Sequence, residues 1–126
     1  MTRILIVDDH QALRAAVRGT LADAFAGVEV GEAESAAEAL RRVEEEAWDL
    51  VLLDLALRDR NGLETLRQIR MGHPRLPVVV MSMYPEEQYG PRALKSGAAA
   101  FYVKGGAPEL LAAAIRQALA EPARDP

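Results

Sequence analysis

Five polar residues of this sequence each stand at the end of a short apolar run. Clustered carboxylates repel one another, so their proton affinities rise unless a cation neutralises them. Mg²⁺ is held in proteins by oxygen ligands from one or two carboxylates, and an aspartate beside it can act as the nucleophile in phosphoryl transfer. A lysine and a hydroxyl then stabilise charge on the phosphoryl oxygens. Residues of these types are Asp8, Asp9, Asp54, Ser82 and Lys104.

Short apolar runs alternate with longer amphipathic segments, and this pattern predicts the elements that position those residues. Continuous apolar runs at 4–7, 50–53 and 78–81 are typical of strands covered on both faces. Weaker strands are predicted at 28–33 and 99–103. Five strands alternating with five helices predict an α/β fold, a doubly wound parallel sheet in a three-layer α/β/α sandwich. In such a sheet the functional crevice lies at the carboxyl ends of the strands.

Each polar residue has a second interpretation when it is taken singly. Asp9 is also a candidate N-cap of the first helix, Asp54 a loop carboxylate, Ser82 a turn residue and Lys104 a solvated surface lysine. Their occurrence at four separate strand ends favours one shared crevice. Asp54 is the predicted nucleophile because it ends the central run, and Asp8 and Asp9 are predicted to hold the metal.

The fourth helix is predicted to be short because of a Gly-Pro pair. Proline inside a helix removes a backbone hydrogen bond and clashes with the preceding turn, at a cost of about 3 kcal/mol. We therefore expect this helix to begin near Pro91 and to be capped by Gly97, with 85–89 in a loop or a separate turn.

Composition excludes several classes of protein. The chain has 126 residues, a net charge of -4 and no cysteine, which excludes disulfide frameworks and thiol chemistry. The mild acidity argues against direct nucleic-acid binding. The first apolar run is too short for a signal peptide or a membrane span, so a cytoplasmic location is expected. We expect one domain over 1–120 and a linker or tail over 121–126.

The motifs together resemble the receiver domain of bacterial two-component response regulators, most closely the NarL/FixJ branch. The resemblance covers nearly the whole chain and rests on motifs that occur in order at characteristic spacings. They are Ile-Leu-Ile-Val-Asp-Asp-His at 4–10, Asp-Leu-Val-Leu-Leu-Asp-Leu at 49–55, Asn-Gly-Leu-Glu at 61–64, Val-Val-Val-Met-Ser at 78–82, and Lys-Ser-Gly-Ala with Phe-Tyr-Val-Lys at 95–104.

The resemblance implies a flavodoxin-like sheet of order 2-1-3-4-5 and a set of metal and acceptor roles. Asp54 would accept a phosphoryl group from the phosphohistidine of a sensor histidine kinase. Mg²⁺ would be bound by Asp9 and Asp54, by Asp8 through water, and by the backbone carbonyl of Ala56.

The resemblance also implies a switch and a set of partners. Ser82 and Lys104 would hold the phosphoryl oxygens, and movement of Ser82 would be coupled to Phe101. Formation of a homodimer on phosphorylation is left open, and no membrane partner is expected. The output function, including any DNA binding, would belong to a domain that this sequence lacks.

Some positions depart from the family pattern, and they bear on the alternative functions. Many relatives have proline at the position of Arg58, and a Lys-Pro pair where this chain has Lys104-Gly105. Ala56 and Tyr84 are expected to tune the lifetime of the phosphoryl group. A phosphatase of the haloacid dehalogenase type would need an aspartate at Ala56, and a flavodoxin would need a Gly- and hydroxyl-rich phosphate loop where the acidic pair stands. A degenerate receiver would lack site residues that are present here.

Overall fold

The computed structural model describes residues 1–120, with the backbone alone for Glu86, so the predicted tail at 121–126 lies outside the described residues. The boundary placed at residue 120 stays a prediction. Among the described residues, no helix is long and apolar enough to cross a lipid bilayer. The strands are β1 (Arg3–Val7), β2 (Glu29–Ala33), β3 (Leu50–Asp54), β4 (Val78–Ser82) and β5 (Ala100–Val103). The helices are α1 (Gln11–Ala24), α2 (Ala36–Glu45), α3 (Gly62–Gly72), α4 (Glu86–Lys95) and α5 (Pro108–Ala120).

The five strands form one parallel sheet of order β2-β1-β3-β4-β5, which confirms the predicted topology. β3 lies at the centre of the sheet, and every residue of it is buried. Its neighbours β1 and β4 are also apolar along almost their whole length. Because all strands are parallel, their carboxyl ends meet at one edge of the sheet.

Alternate residues of the strands enter two separate cores, one on each face of the sheet. Leu5 and Leu53 belong to the core that α2 and α3 cover. Ile4 and Leu52 belong to the core that α1 and α5 cover. This division follows from the period-two alternation of side chains along a strand, and it gives the predicted α/β/α sandwich.

The prediction for the fourth helix was wrong. α4 runs from Glu86 to Lys95 with Pro91 inside it, so residues 86–89 are helical rather than a loop. Gly90 precedes the proline and has no Cβ, which removes part of the clash that normally disfavours helical geometry before proline. The predicted cap at Gly97 agrees with the structure, because this glycine has φ +109° directly after the helix C-cap residue.

Replacing Pro91 with alanine is expected to raise the free energy of unfolding by about 2 kcal/mol. Alanine supplies the N–H that proline lacks, so the carbonyl of Glu87 gains a helical partner. Pro91 is exposed, so the change opens no cavity. Urea unfolding would measure the gain, and Arg92→Ala on the same exposed helix is the control, with little change expected. An unchanged or lower stability of Pro91→Ala would show that the proline costs this helix nothing.

Candidate functional site

Three carboxylates meet at the carboxyl edge of the sheet because β1 and β3 are neighbours in register. Val7 pairs with Leu53, so the residues that follow them, Asp8 and Asp54, lie side by side. Both are almost fully buried. Ligand atoms of Asp8, Asp9, His10 and Asp54 all lie within 4.8 Å of one another. The structure thus brings together the three aspartates that the sequence placed in one crevice.

Lys104 reaches this cluster from the edge strand of the sheet. Its backbone N–H donates to the carbonyl of Ser82 at 2.8 Å, which continues the ladder between β4 and β5 past the last residue of β5. Its Nζ lies 2.6 Å from Asp8 Oδ2 and 3.0 Å from Asp54 Oδ1. With 5% of its side chain exposed, Lys104 is a buried cation and not a solvated surface lysine.

The Asp54 carboxylate is held on one oxygen and open on the other. Its Oδ1 accepts from the N–H of Ala56 at 3.0 Å and pairs with Lys104. Its Oδ2 is buried and has no hydrogen-bond partner among the described residues. Burial is the main cause that raises the pKa of Asp54, and the negative charge of Asp8 raises it further. The N–H of Ala56 and the charge of Lys104 lower this pKa but do not outweigh burial.

This arrangement fits a small divalent cation. Lys104 pairs with Asp8 and Asp54, and Asp9 pairs with the exposed Arg58. Three carboxylates therefore face two cations, and the cluster keeps an excess of negative charge. An oxygen of Asp54 lies within 4.8 Å of carboxylate oxygens of Asp8 and Asp9, and carboxylate oxygens are the donors that Mg²⁺ prefers. A divalent cation bound here would compensate the negative charge that these two cations leave unbalanced.

Ser82 and Phe101 occupy the positions that β4 and β5 give them. Ser82 is buried, and its Oγ accepts from the N–H of Tyr84 at 3.0 Å. Phe101 is half-buried and packs against the core between the sheet and α2 and α3. Its register partner on β4 is Val80, whereas Ser82 pairs with Val103. The predicted coupling between Ser82 and Phe101, like the metal role of the Ala56 carbonyl, stays a prediction.

Two residues that sequence reasoning did not assign to the site contact its acidic pair. His10 Nδ1 lies 3.0 Å from oxygens of both Asp8 and Asp9. The exposed Arg58 places its Nε 3.2 Å from Asp9 Oδ2. The N-cap of α1 is His10, without a side-chain cap, so the alternative interpretation of Asp9 as that cap was wrong. The position of Arg58, four residues after Asp54, was the available signal.

The loop that carries Ala56 and Arg58 is fastened to α2 by Asp59. The two carboxylate oxygens of Asp59 accept from the N–H groups of Ala36 and Ala37 at 3.0 and 3.1 Å. The bond from the N–H of Ala36, and after it the bond from Ala37, lower the pKa of Asp59. The loop is therefore anchored at the first turn of a helix, where backbone N–H groups favour an anion.

A cavity of about 520 Å³ opens beside the cluster. Its lining includes Ala56 and Ser82 together with Arg58, Tyr84 and Arg92. Tyr84 is half-exposed and its ring lies 5.2 Å from that of Tyr89. Because Ala56 and Ser82 belong to the loop and strand end beside the acidic cluster, the cavity adjoins the site.

Comparison with known proteins identifies relatives of this chain and of its fold. The model of the response regulator receiver domain matches residues 4–116. The response regulator GacA of Pseudomonas viridiflava is 35% identical over 92% of this chain and 54% of its own length. The transcriptional activator protein ExaE of Pseudomonas putida is 39% identical over 93% of this chain and 55% of its own. The chain thus spans about half the length of these curated relatives.

Solved structures give the same result. A CheY-like receiver domain protein from Methanospirillum hungatei JF-1 superposes with a TM-score of 0.85 at 32% identity, over 94% of both chains. A LuxR-family two-component response regulator from Aurantimonas sp. SI85-9A1 has a TM-score of 0.87 at 32% identity, over 100% of this chain and 91% of its own.

Proposed function

Because the chain belongs to the response regulator receiver domain family, we propose that it is the phosphorylation-switched module of a two-component system, with Asp54 as the phosphoacceptor. The observation that carries this proposal is the buried Asp54 carboxylate, which has one unpartnered oxygen in an acidic cluster that a single lysine faces. Family membership supports a signalling role and a sensor histidine kinase as the partner.

The proposed reaction is transfer of a phosphoryl group from a phosphohistidine of the kinase. An oxygen of Asp54 attacks phosphorus and forms an O–P bond while the P–N bond breaks. The electron pair of that bond stays on the imidazole nitrogen, which then takes a proton from solvent. The Asp54 carboxylate attacks in its ionised form, and Lys104 favours that form because its Nζ lies 3.0 Å away.

The remaining residues bind and orient the transferred group. Asp8, Asp9, Asp54 and the carbonyl of Ala56 would hold Mg²⁺, which would neutralise oxygen charge at the site. Lys104 would bind a phosphoryl oxygen once formation of the acyl phosphate has removed the charge of the Asp54 carboxylate. The Ser82 hydroxyl would donate to a second oxygen, and both side chains already lie at the carboxyl edge of the sheet.

The consequences of phosphorylation belong to the same proposal. Ser82 would move toward the phosphoryl group and Phe101 would follow, which would change the surface around α4 and β5. We propose that phosphorylation leads to a homodimer and controls a DNA-binding output domain outside these 126 residues. The proposed location of these events is the cytoplasm. Hydrolysis of the aspartyl phosphate within the same site would reset the switch, and the bulky Tyr84 beside Ser82 would limit the access of water.

Intact-mass spectrometry after incubation with acetyl phosphate and Mg²⁺ tests the proposal. The wild-type chain is expected to gain one phosphoryl group, because Asp54 is the proposed acceptor and Lys104 lies beside it. Asp54→Ala is expected to gain none. Asp23→Ala is the matched control, since it removes an exposed aspartate of α1, and it should be labelled like the wild type. No adduct on the wild-type chain would favour a degenerate receiver, and an adduct that persists in Asp54→Ala would refute the assignment of Asp54.

A further inference from the structure

Arg14 is next to the acidic cluster and is buried, which is unusual for a charged side chain. Its side chain is 7% exposed. One nitrogen, Nη1, donates to the main-chain carbonyl of Asp8 at 2.6 Å. Arg14 therefore contacts the backbone of a proposed metal-binding residue from a buried position.

The guanidinium of Arg14 is fixed by acidic residues of β2 and the loop after it. Its Nε donates to Glu32 Oε1 at 2.7 Å, and its Nη2 lies 3.4 Å from Glu34 Oε1. The second oxygen of Glu32 accepts from Arg18 at 2.7 Å. These bonds, first from Arg18 and then from Arg14, lower the pKa of Glu32. An ionised Glu32 shared by two arginines holds the plane of the Arg14 side chain in one orientation.

The bond from Arg14 fixes a specific peptide plane. The carbonyl of Asp8 and the N–H of Asp9 belong to one planar unit, so fixing that carbonyl also fixes the direction in which the chain enters Asp9. The N–H of Asp8 is held separately, by the carbonyl of Ala33 at 3.1 Å. Both peptide groups of Asp8 are thus bonded to groups of α1 and β2, and the Asp8 and Asp9 side chains project from a constrained segment.

We propose that Arg14 is a positioning residue for the Mg²⁺ site, which fixes the Asp8–Asp9 peptide so that both carboxylates face the cluster. This inference rests on the proposed function, because it concerns the same site. Groups that orient metal ligands without binding the metal commonly change metal affinity by about 10- to 100-fold when they are removed.

Arg14→Met tests the role, with Arg18→Met as its matched control. Both variants remove an arginine that binds Glu32. The two arginines differ in their backbone contacts, because Arg14 donates to the carbonyl of Asp8 and Arg18 donates to the carbonyl of Val30. Titration calorimetry is expected to show that Arg14→Met binds Mg²⁺ about tenfold more weakly, while Arg18→Met binds as the wild type does. In metal-free protein, hydrogen exchange of the His10 amide, which donates to Asp8 Oδ1, should be faster in Arg14→Met alone.

Arg14→Lys separates positioning from charge. A single ammonium group keeps the charge but lacks the planar fork that joins the Asp8 carbonyl to Glu32, so it should restore only part of the Mg²⁺ affinity. Wild-type affinity in Arg14→Lys, or equal losses in Arg14→Met and Arg18→Met, would overturn the positioning role. If Arg14→Met does not fold, Glu32→Gln takes its place in the titration. We expect Glu32→Gln to lose less Mg²⁺ affinity than Arg14→Met would, and an unchanged affinity would count against the positioning role.

The two proposals fail in different ways. A wild-type chain that accepts no phosphoryl group, together with weaker Mg²⁺ binding in Arg14→Met, would refute the function and keep the positioning role. A wild-type chain that is phosphorylated, together with undiminished Mg²⁺ binding in Arg14→Met, would refute the positioning role alone.

Discussion

Replacing Lys104 with alanine is expected to lower the free energy of unfolding by about 3 kcal/mol or more in metal-free buffer near neutral pH. Lys104 Nζ lies within 3.0 Å of oxygens of Asp8 and Asp54, and both aspartates are almost fully buried. Alanine would leave their charges without this cation. Removing one member of a buried ion pair costs far more than losing a surface pair, because the remaining charge stays desolvated.

The same variant should respond more strongly to Mg²⁺ than the wild type. The cation would supply the positive charge that Lys104 no longer provides, so saturating Mg²⁺ should raise the thermal midpoint of Lys104→Ala by more than that of the wild type. Lys95→Ala is the control, because it removes the other lysine of the chain from an exposed position, and it should change neither quantity. A loss of stability no larger in Lys104→Ala than in Lys95→Ala would contradict the electrostatic account of the cluster.

Replacing Asp54 with asparagine is expected to have the opposite effect on stability and to abolish phosphorylation. Burial is the main cause of the raised pKa of Asp54, so keeping this carboxylate ionised destabilises the folded state. Asparagine keeps an oxygen that can accept from Ala56 and Lys104 but carries no charge. We expect a gain of about 1 kcal/mol in unfolding free energy near neutral pH, which is the usual size of such gains at sites selected for function.

The pH dependence of that gain follows from the direction of the pKa shift. The folded chain binds the Asp54 proton more tightly than the unfolded chain does. The contribution of Asp54 to wild-type stability therefore falls as the pH rises from the ordinary value of 3.8 through the raised pKa of the folded state. The asparagine side chain of the variant binds no such proton, so the advantage of Asp54→Asn should be full above this interval and vanish below it.

Urea unfolding in metal-free buffer across this pH range checks the prediction. Asp23→Asn, at an exposed position, is the control and should show no comparable gain. A lower stability of Asp54→Asn at neutral pH would mean that the ionised carboxylate stabilises the fold, contrary to the account given for its burial.

Much of the fold was predictable because its strongest signals are local. The continuous apolar runs of β3 and β4 are typical of strands covered on both faces, and this placed Asp54 at the centre of the sheet. The start of α2 carries a local signal of the same kind, since a serine followed three residues later by a glutamate is a capping signature. Ser35 is the N-cap of this helix, and its Oγ accepts from the N–H of Glu38 at 3.1 Å.

The start of α4 was not predictable from the same kind of rule. The penalty for proline in a helix is an average, and it takes no account of the residue before the proline. Here Gly90 removes part of the clash, and the buried Ala93 packs α4 against the core. Tertiary packing thus offsets a local cost, and residue spacing alone gives no measure of that packing.

The site was predictable in its membership but not in all its contacts. The strand ends placed Asp8, Asp54 and Lys104 in one crevice, because parallel strands align their carboxyl ends. The contacts of His10 and Arg58 with the acidic pair depend on the path of two loops and on side-chain rotamers. Neither of these follows from residue spacing.

The central claim is that Asp54 is the residue that carries the phosphoryl group. The most direct measurement is borohydride reduction of the wild-type chain after treatment with acetyl phosphate and Mg²⁺, followed by peptide sequencing by tandem mass spectrometry. Borohydride reduces an acyl phosphate to an alcohol and releases phosphate, which marks the acceptor permanently. We expect homoserine in place of Asp54 and unmodified aspartate at Asp8 and Asp9. Homoserine at either of those two positions, with Asp54 intact, would contradict the claim.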